Sequence, residues 1–330
     1  MGIILGAITA VGETGVAMMS GDGIWQRCHP IFASFVGDYP EQVLVMCTYN
    51  TRCPKCLVPP DQLGSFTSSP LHDYNKVRNV YHLSDGNAYT FHSACRKMAQ
   101  KPGFHPFWES LPLTNVFLSI TPNILHQLLQ GVFKHLVAWL VDTFGPSEIN
   151  ARCQAIPPNH HITLFIKGIS WLSHVMGKEH KNMSHFLLGL VMDLSVPSGQ
   201  VLPRWIIVAV RALLDFLFLA QFPSHMATTL MCLDDVLAHF HKNKEVFIEL
   251  GICNHFNLPK IHSLIHYSAL IHLFGTTDNY NTEQTEQLHI DIIKDTYEAT
   301  NHKDKTIQMA TWQDHHEKMQ VHYAYLKWRQ

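Results

Sequence analysis

The sequence predicts a predominantly helical protein in which a small α/β portion is interrupted by a loop-rich zinc knuckle and a large all-α block. Three observations predict it. Residues 29–38, HPIFASFVGD, form an apolar run that closes on a carboxylate; Cys53 and Cys56 stand as C-x-x-C at the head of a Pro-, Gly- and Ser-rich stretch; and from Pro122 onward apolar residues recur at helical spacing. At 330 residues, with 46% hydrophobic and 15% charged, the chain can bury a sizeable core and does not read as a disordered tail.

Taken in order, the first nineteen residues are apolar and Gly-rich and could pass for a signal peptide. No basic residue precedes the apolar part and Glu13 interrupts it, so secretion is not expected. The 29–38 run reads as a buried strand with Asp38 at its C-terminal end, and Pro40 then suits a first helical position. Residues 57–115 show little periodicity and read as a loop-rich insertion. ILHQLLQGVFKHLVAWLVDTF, residues 124–144, reads as a helix stopped by Gly145-Pro146, and further helical patterns cover 161–176, 181–194, 204–222 and 225–241. Pro259 opens a helix bearing His262 and His266, and residues 282–298 form a helix bearing Glu286. The implied divisions are 1–50, a partial core segment; 51–120, the knuckle insertion; 121–255, the all-α insertion; and 256–330, C-terminal helices that complete the core. A membrane span needs about twenty apolar residues, and none is expected; the nearest candidate, 205–222, carries Arg211 and Asp215 and ends at Pro223.

A net charge of -2 gives no electrostatic push towards nucleic acid, so any basic surface has to be local. The eight cysteines show no disulfide framework, which fits reduced thiols in the cytosol or nucleus and one metal site. Cys53-Pro-Lys-Cys56 has knuckle spacing, in which a tight turn aims two thiolates at one ion. Two further ligands are needed. His92-x-x-Cys95 is the local pair, and His262-x-x-x-His266, one helical turn apart, is the distant one. On spacing alone both remain open, and the two helix histidines also suit the edge of a core.

Asp38 and Glu286 are candidate carboxylates for a divalent-ion site, because two-metal phosphoryl transfer needs carboxylates on separate elements aimed at a shared pair of ions. Taken alone, Asp38 is an N-cap and Glu286 lies on a solvated helix face, with Glu283 one turn away as an alternative ligand. Asn123-Ile-Leu-His126 opens a helix with Asn123 as its cap. The aromatics at 107, 108, 205, 216, 218 and 222 read as core rather than as base-stacking platforms. No H-E-x-x-H motif occurs, which argues against a metalloprotease-type centre.

The stretches GDGIWQRCHPIFASFVGDYPEQ, CPKC, TPNILHQLLQGVFKH, HFNLPKIHSLIHY and FGTTDNYNTEQTEQLHIDIIKDTYEATN closely resemble the Plavaka transposases of fungi, distant relatives of the CACTA group of DDE/D cut-and-paste enzymes. The resemblance runs along nearly the whole chain. It implies an incomplete RNase H-like core that cleaves and transfers DNA strands with Mg2+ or Mn2+, Asp38 and Glu286 being the second and third acidic ligands. It also implies that Cys53 and Cys56 share a structural Zn2+ with His262 and His266.

Two departures stand out. The family's first catalytic aspartate belongs to a strand upstream of Met1, so an N-terminal truncation is expected, with Asp22 the nearest substitute. The family's Asp-x-x-His appears here as Asn123-x-x-His126. The resemblance therefore implies a transposase remnant that is catalytically incomplete, with a non-catalytic zinc-stabilised DNA- or protein-binding domain as the alternative. Its implied partners are transposon-end DNA and a homo-oligomer, without a membrane, in the nucleus or cytoplasm.

Overall fold

Helix dominates the computed structural model, which describes residues 2–103, 105–173, 175–194 and 204–329. The chain divides into two compact units, Met1–Tyr280 and Asn281–Gln330.

The first unit opens with the helix Gly2–Thr14, stopped by Gly15 at φ 72°. A hairpin absent from the sequence expectation follows, β1 (Val16–Met19) antiparallel to β2 (Trp25–Cys28), with Val16 opposite Cys28 and Met19 opposite Trp25. Its turn was legible, since Gly21-Asp22-Gly23 supplies Gly23 at φ 83°. The strand expected over 29–38 differs from the structure. Among the described residues only Phe35 pairs, as an isolated parallel bridge to Ile120. Its N–H donates to the Ser119 carbonyl at 2.8 Å, and its own carbonyl accepts from Thr121 N–H at 3.4 Å. Pro30 has no N–H to offer a ladder, and the chain enters the helix Tyr39–Val45 directly after Asp38, so the run is too short to propagate pairing.

The insertion expected to be loop holds two helices, Tyr74–Tyr81 and Ala88–Lys97. Each has a side-chain cap: Asp73 accepts from Lys76 N–H at 3.0 Å and Asn87 from Thr90 N–H at 3.2 Å. With Trp108, Phe117 and Ile120 they bury Val77, Tyr81, Phe91 and Cys95 in a core of their own. Trp108 donates its indole N–H to the Val45 carbonyl at 2.8 Å, which joins that core to the Tyr39–Val45 helix.

The all-α block is centred on one continuous helix over 124–144, π-helical from Ile124 to Phe133 and α-helical from Lys134 to Phe144, ended by Gly145 at φ 85°. It is the one helix among the described residues long and apolar enough to cross a membrane. Leu128, Leu129, Val132 and Leu136 are buried in the larger core, which also holds residues of Arg204–Ala220, Ala227–Asn243 and the 261–271 segment. The helix expected over 161–176 is instead a series of turns over its described residues. Gly168 there takes φ 81°, and the Asn150 side chain accepts from the N–H groups of Ile169 and Ser170 at 3.0 Å each, which pins a non-helical path. The 181–194 pattern forms two short helices, Gly177–Ser184 and Leu187–Val191.

In the second unit, Glu283–His289, a π segment Ile290–Lys294 and Asp295–Glu298 run on as one helix, as the sequence suggests. Left-handed residues His302 (φ 62°) and Asp304 (φ 47°) turn the chain into the helix Lys305–Arg329.

Candidate metal centre

Asp38 caps the Tyr39–Val45 helix: its Oδ1 accepts from Glu41 N–H at 2.8 Å, and Pro40 occupies the first turn, where no donor is needed. The Tyr39 hydroxyl lies 2.8 Å from the Asn50 carbonyl and 2.7 Å from that of Arg52. The capped helix is thereby tied to the backbone that leads into Cys53.

At the knuckle, Lys55 N–H donates to Cys53 Sγ at 3.4 Å, a contact that favours a thiolate there. The second half of the centre arrives from more than two hundred positions along the chain. Pro259 opens the helix Pro259–Ser263, which tightens to a 3-10 turn over Leu264–His266 and continues as Tyr267–Phe274. Ile261, Leu264 and Tyr267 anchor that segment in the larger core, leaving His262 and His266 on the face towards the knuckle.

Cys56 Sγ stands 3.0 Å from His262 Nε2 and Cys53 Sγ 3.5 Å from His266 Nε2. All four donor atoms lie within 4.8 Å of one another. A tetrahedral zinc, with thiolate at ~2.3 Å and imidazole at ~2.0–2.1 Å, places neighbouring donors about 3.5 Å apart, so the donor set and its spacing fit that ion. Cys53, Cys56 and His262 are buried and His266 is half-buried. Donation from Cys53 holds the Cys56 thiol far below the ordinary range, while burial pushes Cys53 up. Burial also pushes His266 down, which keeps its nitrogen lone pair available.

The surroundings brace the knuckle through side chains whose importance spacing could not reveal. Lys55, between the two cysteines, turns inward and donates to the carbonyls of Phe117 (2.9 Å), Leu118 (3.1 Å) and Ile120 (3.1 Å). Burial lowers its pKa to about 8, against the pull of the two thiols. His72, stacked on Phe117 at 4.8 Å, meets the Cys53 carbonyl at 3.2 Å. Beside the cluster lies a cavity of ≈ 20 Å³, lined among others by Tyr39, Gln42, Lys55, Gln127 and His266. That is about the space of one water.

A polar chain links the Asp38 helix to the Asn123 motif. Gln42 Nε2 donates to the carbonyls of Gly37 (2.9 Å) and Thr121 (2.8 Å). Its Oε1 accepts from Gln127 Nε2 at 3.1 Å, and Gln127 Oε1 accepts from Asn123 N–H at 3.2 Å. Asn123 Oδ1 caps the long helix, accepting from Leu125 N–H (2.8 Å) and His126 N–H (3.3 Å). Lys260 crosses to the His126 carbonyl at 2.9 Å.

The other sequence candidates fall elsewhere. His92 is exposed and Cys95 is buried in the smaller core, so the local pair does not reach the knuckle cluster. Asp22 sits in the exposed hairpin turn, where it accepts from the Ser20 hydroxyl and, at 3.2 Å, from Ile24 N–H; the Ser20 bond foremost lowers its pKa. Glu283 and Glu286 both lie in the second unit, Glu283 exposed and Glu286 half-buried.

Comparison with known proteins gives one finding of family. Residues 1–140 match the model of the Plavaka transposase family. No curated protein and no solved structure matches the chain. The matched stretch contains Asp38, Cys53, Cys56, Asn123 and His126; His262, His266 and Glu286 lie beyond it.

Proposed function

Because residues 1–140 match the model of the Plavaka transposase family, we propose that the chain is a DNA-engaging derivative of a transposase catalytic domain. In this reading its cysteine–histidine cluster holds a structural zinc and its strand-cleaving chemistry is incomplete. One observation carries the reading: four donor atoms drawn from the knuckle and from a helix more than two hundred residues away converge within 4.8 Å. No open coordination position is needed by a closed Cys2His2 set, so its role is to fasten the two segments together.

The parallel bridge between Phe35 and Ile120, just before the Asp38 cap, supports descent from an RNase H-like sheet. In the proposed chemistry Asp38 and Glu286 are the carboxylates for Mg2+ or Mn2+. Such ions would activate an attacking water or 3′-hydroxyl and stabilise the leaving oxygen. Centres of this type bridge two ions with several carboxylates. Here the motifs provide Asp38 in the first unit and Glu286 in the second, while Asp22 is engaged in its own hairpin turn. The capping role of Asp38 equally suits the second reading, a non-catalytic zinc-stabilised binding domain.

The test is a nicking and strand-transfer assay on duplex DNA with Mg2+ or Mn2+, run with the zinc-loaded chain. Expected are one zinc per chain and no strand cleavage. Robust metal-dependent nicking lost in Asp38→Ala would overturn the incompleteness, and a folded chain without zinc would overturn the structural role of the cluster.

A further inference from the structure

We infer that Ser84, His105 and Glu109 form a second, hydrolytic site at the surface, in which Ser84 is a nucleophile towards carboxylic esters. The inference stands apart from the transposase reading and from the zinc centre, and draws on neither.

Ser84 lies three residues beyond the helix Tyr74–Tyr81, in turns held by backbone bonds from His82 N–H to the Arg78 carbonyl (3.2 Å) and from Ser84 N–H to the Tyr81 carbonyl (3.0 Å). Glu109 belongs to the 3-10 turn Phe107–Ser110, next to the fully buried Trp108, and its own N–H donates to the Pro106 carbonyl at 3.0 Å. Both ends of the site are thus fixed by bonds that leave its side chains free to meet one another.

Ser84 Oγ stands 2.9 Å from His105 Nε2, and His105 Nδ1 stands 2.6 Å from Glu109 Oε2. A hydroxyl on a base that a third group orients is the arrangement that activates a nucleophile. The carboxylate accepts the Nδ1 proton, so the neutral imidazole presents its Nε2 lone pair to the serine. His82 Nδ1 meets the other Glu109 oxygen at 3.3 Å, and Glu109 is buried, so the carboxylate is held at both oxygens. The two imidazoles take different oxygens, and neither joins a converging set of metal donors among the described residues. Glu109 therefore aims a base and does not gather ligands round an ion. His225 gives the contrast: its Nδ1 is 3.3 Å from the Thr229 hydroxyl, but its Nε2 has no hydrogen-bond partner among the described residues, so no carboxylate orients it.

Solvent sets the substrate class. Ser84 is half-buried and the His105 side chain is 52% exposed, so a substrate reaches both, while the charge stabilisation available in a water-excluded site is reduced. That limits the chemistry to esters whose alcohol departs readily. The N–H of Asp85, the residue after the nucleophile, has no partner among the described residues and is free to meet the carbonyl oxygen as charge develops on it. Ser84 Oγ attacks the ester carbonyl carbon as its proton passes to His105 Nε2. The tetrahedral adduct then collapses, that proton goes to the leaving alkoxide, and the acyl group stays on Ser84 Oγ. Water repeats the sequence, giving a proton to Nε2, releasing the acid and returning the proton to Ser84. The sum is ester plus water to acid plus alcohol.

The experiment treats the full zinc-loaded chain with p-nitrophenyl acetate and, separately, with an alkyl fluorophosphonate, which Ser84 Oγ attacks at phosphorus with loss of fluoride. Expected are nitrophenol release above the buffer rate and a phosphonyl group on Ser84 by peptide mass, both lost in Ser84→Ala. His105→Gln removes the general base and should slow both about 100-fold. In the parent the rate should rise with pH as His105 loses its proton, with a midpoint above about 6.5, because Glu109 foremost, and Asp85 at 4.0 Å, favour the imidazolium. Glu109 is a positioning residue, so Glu109→Gln should slow the reaction and also move that midpoint down, which loss of a merely structural carboxylate would not do. His225→Gln should change nothing. Ser84→Ala and His105→Gln leave the buried carboxylate in place, so they carry the test even where Glu109→Gln is unstable. Absence of label on Ser84, or labelling at the parent rate in a folded His105→Gln protein, would overturn the inference.

Discussion

Replacing His262 by alanine tests the centre most directly. The side chain is completely buried, and its Nε2 is 3.0 Å from Cys56 Sγ, so the substitution removes one of four converging donors and opens a hole in the same step. Loss of an outer-shell partner costs zinc sites about 10–100-fold in affinity. Loss of a direct ligand should exceed that, which at ~1.4 kcal/mol per decade is more than about 2.8 kcal/mol. Structural zinc contributes roughly 10–16 kcal/mol in small domains, against a typical net stability of ~5–15 kcal/mol. The variant is therefore expected to lose cooperative unfolding of the first unit as well as metal. The assay is competition with a chromophoric chelator, repeated with Co2+, whose d–d bands report tetrahedral thiolate–imidazole coordination. His92→Ala and Cys95→Ala serve as controls, because neither side chain belongs to the cluster. Zinc affinity for His262→Ala within tenfold of the parent, or an equal loss in His92→Ala, would refute the assignment.

Three further outcomes follow from the same geometry. Lys55→Met should destabilise the first unit by about 2–5 kcal/mol, since three carbonyls lose a charged donor at ~1–3 kcal/mol each and relief of ammonium burial returns part of that; a urea midpoint unchanged from the parent would contradict it. Asp38→Ala should cost ~1 kcal/mol through loss of the cap while Asp38→Asn restores it, read by thermal unfolding; equal loss in both would remove capping from the explanation. The hydrogen bond that His105 Nδ1 donates to the Glu109 carboxylate, 2.6 Å away, raises the His105 pKa. A raised folded pKa gives stability that is complete below the unfolded value of about 6.5 and is lost as pH rises through the folded one. Because His105 is about half exposed the effect is small, and it should appear as a difference between the parent and Glu109→Gln, measured by urea unfolding on both sides of neutrality; curves of identical pH dependence would refute it.

Local chemistry was the legible part of the sequence. Asp38 and Asn123 read as helix caps, and both accept the expected backbone N–H groups. The stop at Gly145 and the proline-opened histidine helix were likewise written in residue type. Periodicity misled over 161–176, where Phe165 and Ile169 keep helical spacing and bury themselves in the core, but Gly168 and the Asn150 side chain impose another path. The helices Tyr74–Tyr81 and Ala88–Lys97 were hidden by the surrounding Gly, Ser and Asn, although their caps Asp73 and Asn87 were themselves signals. Long-range contacts left no local trace. Nothing in a lysine between two cysteines announces that it will bond carbonyls more than sixty residues away, and nothing in a C-x-x-C chooses between two candidate ligand pairs.

Asp38 shows why reading a residue as a cap and reading it as a metal ligand need not compete. A carboxylate has two oxygens and about four lone-pair sites. The cap uses Oδ1 for Glu41 N–H and, among the described hydrogen bonds, makes no use of Oδ2. Capping thus fixes the direction of the group while leaving an oxygen for an ion, which is what a positioned ligand needs. The surrounding architecture serves the same end. Tyr39 ties the capped helix to the knuckle, Gln42 ties it to the Asn123 helix, and Lys55 ties the knuckle to the strand-like segment that pairs with Phe35. Gln42, Lys55 and Asn123 in this scaffold each satisfy a buried backbone group that would cost stability to abandon, so the stability of the fold by itself holds the Asp38 carboxylate in its place.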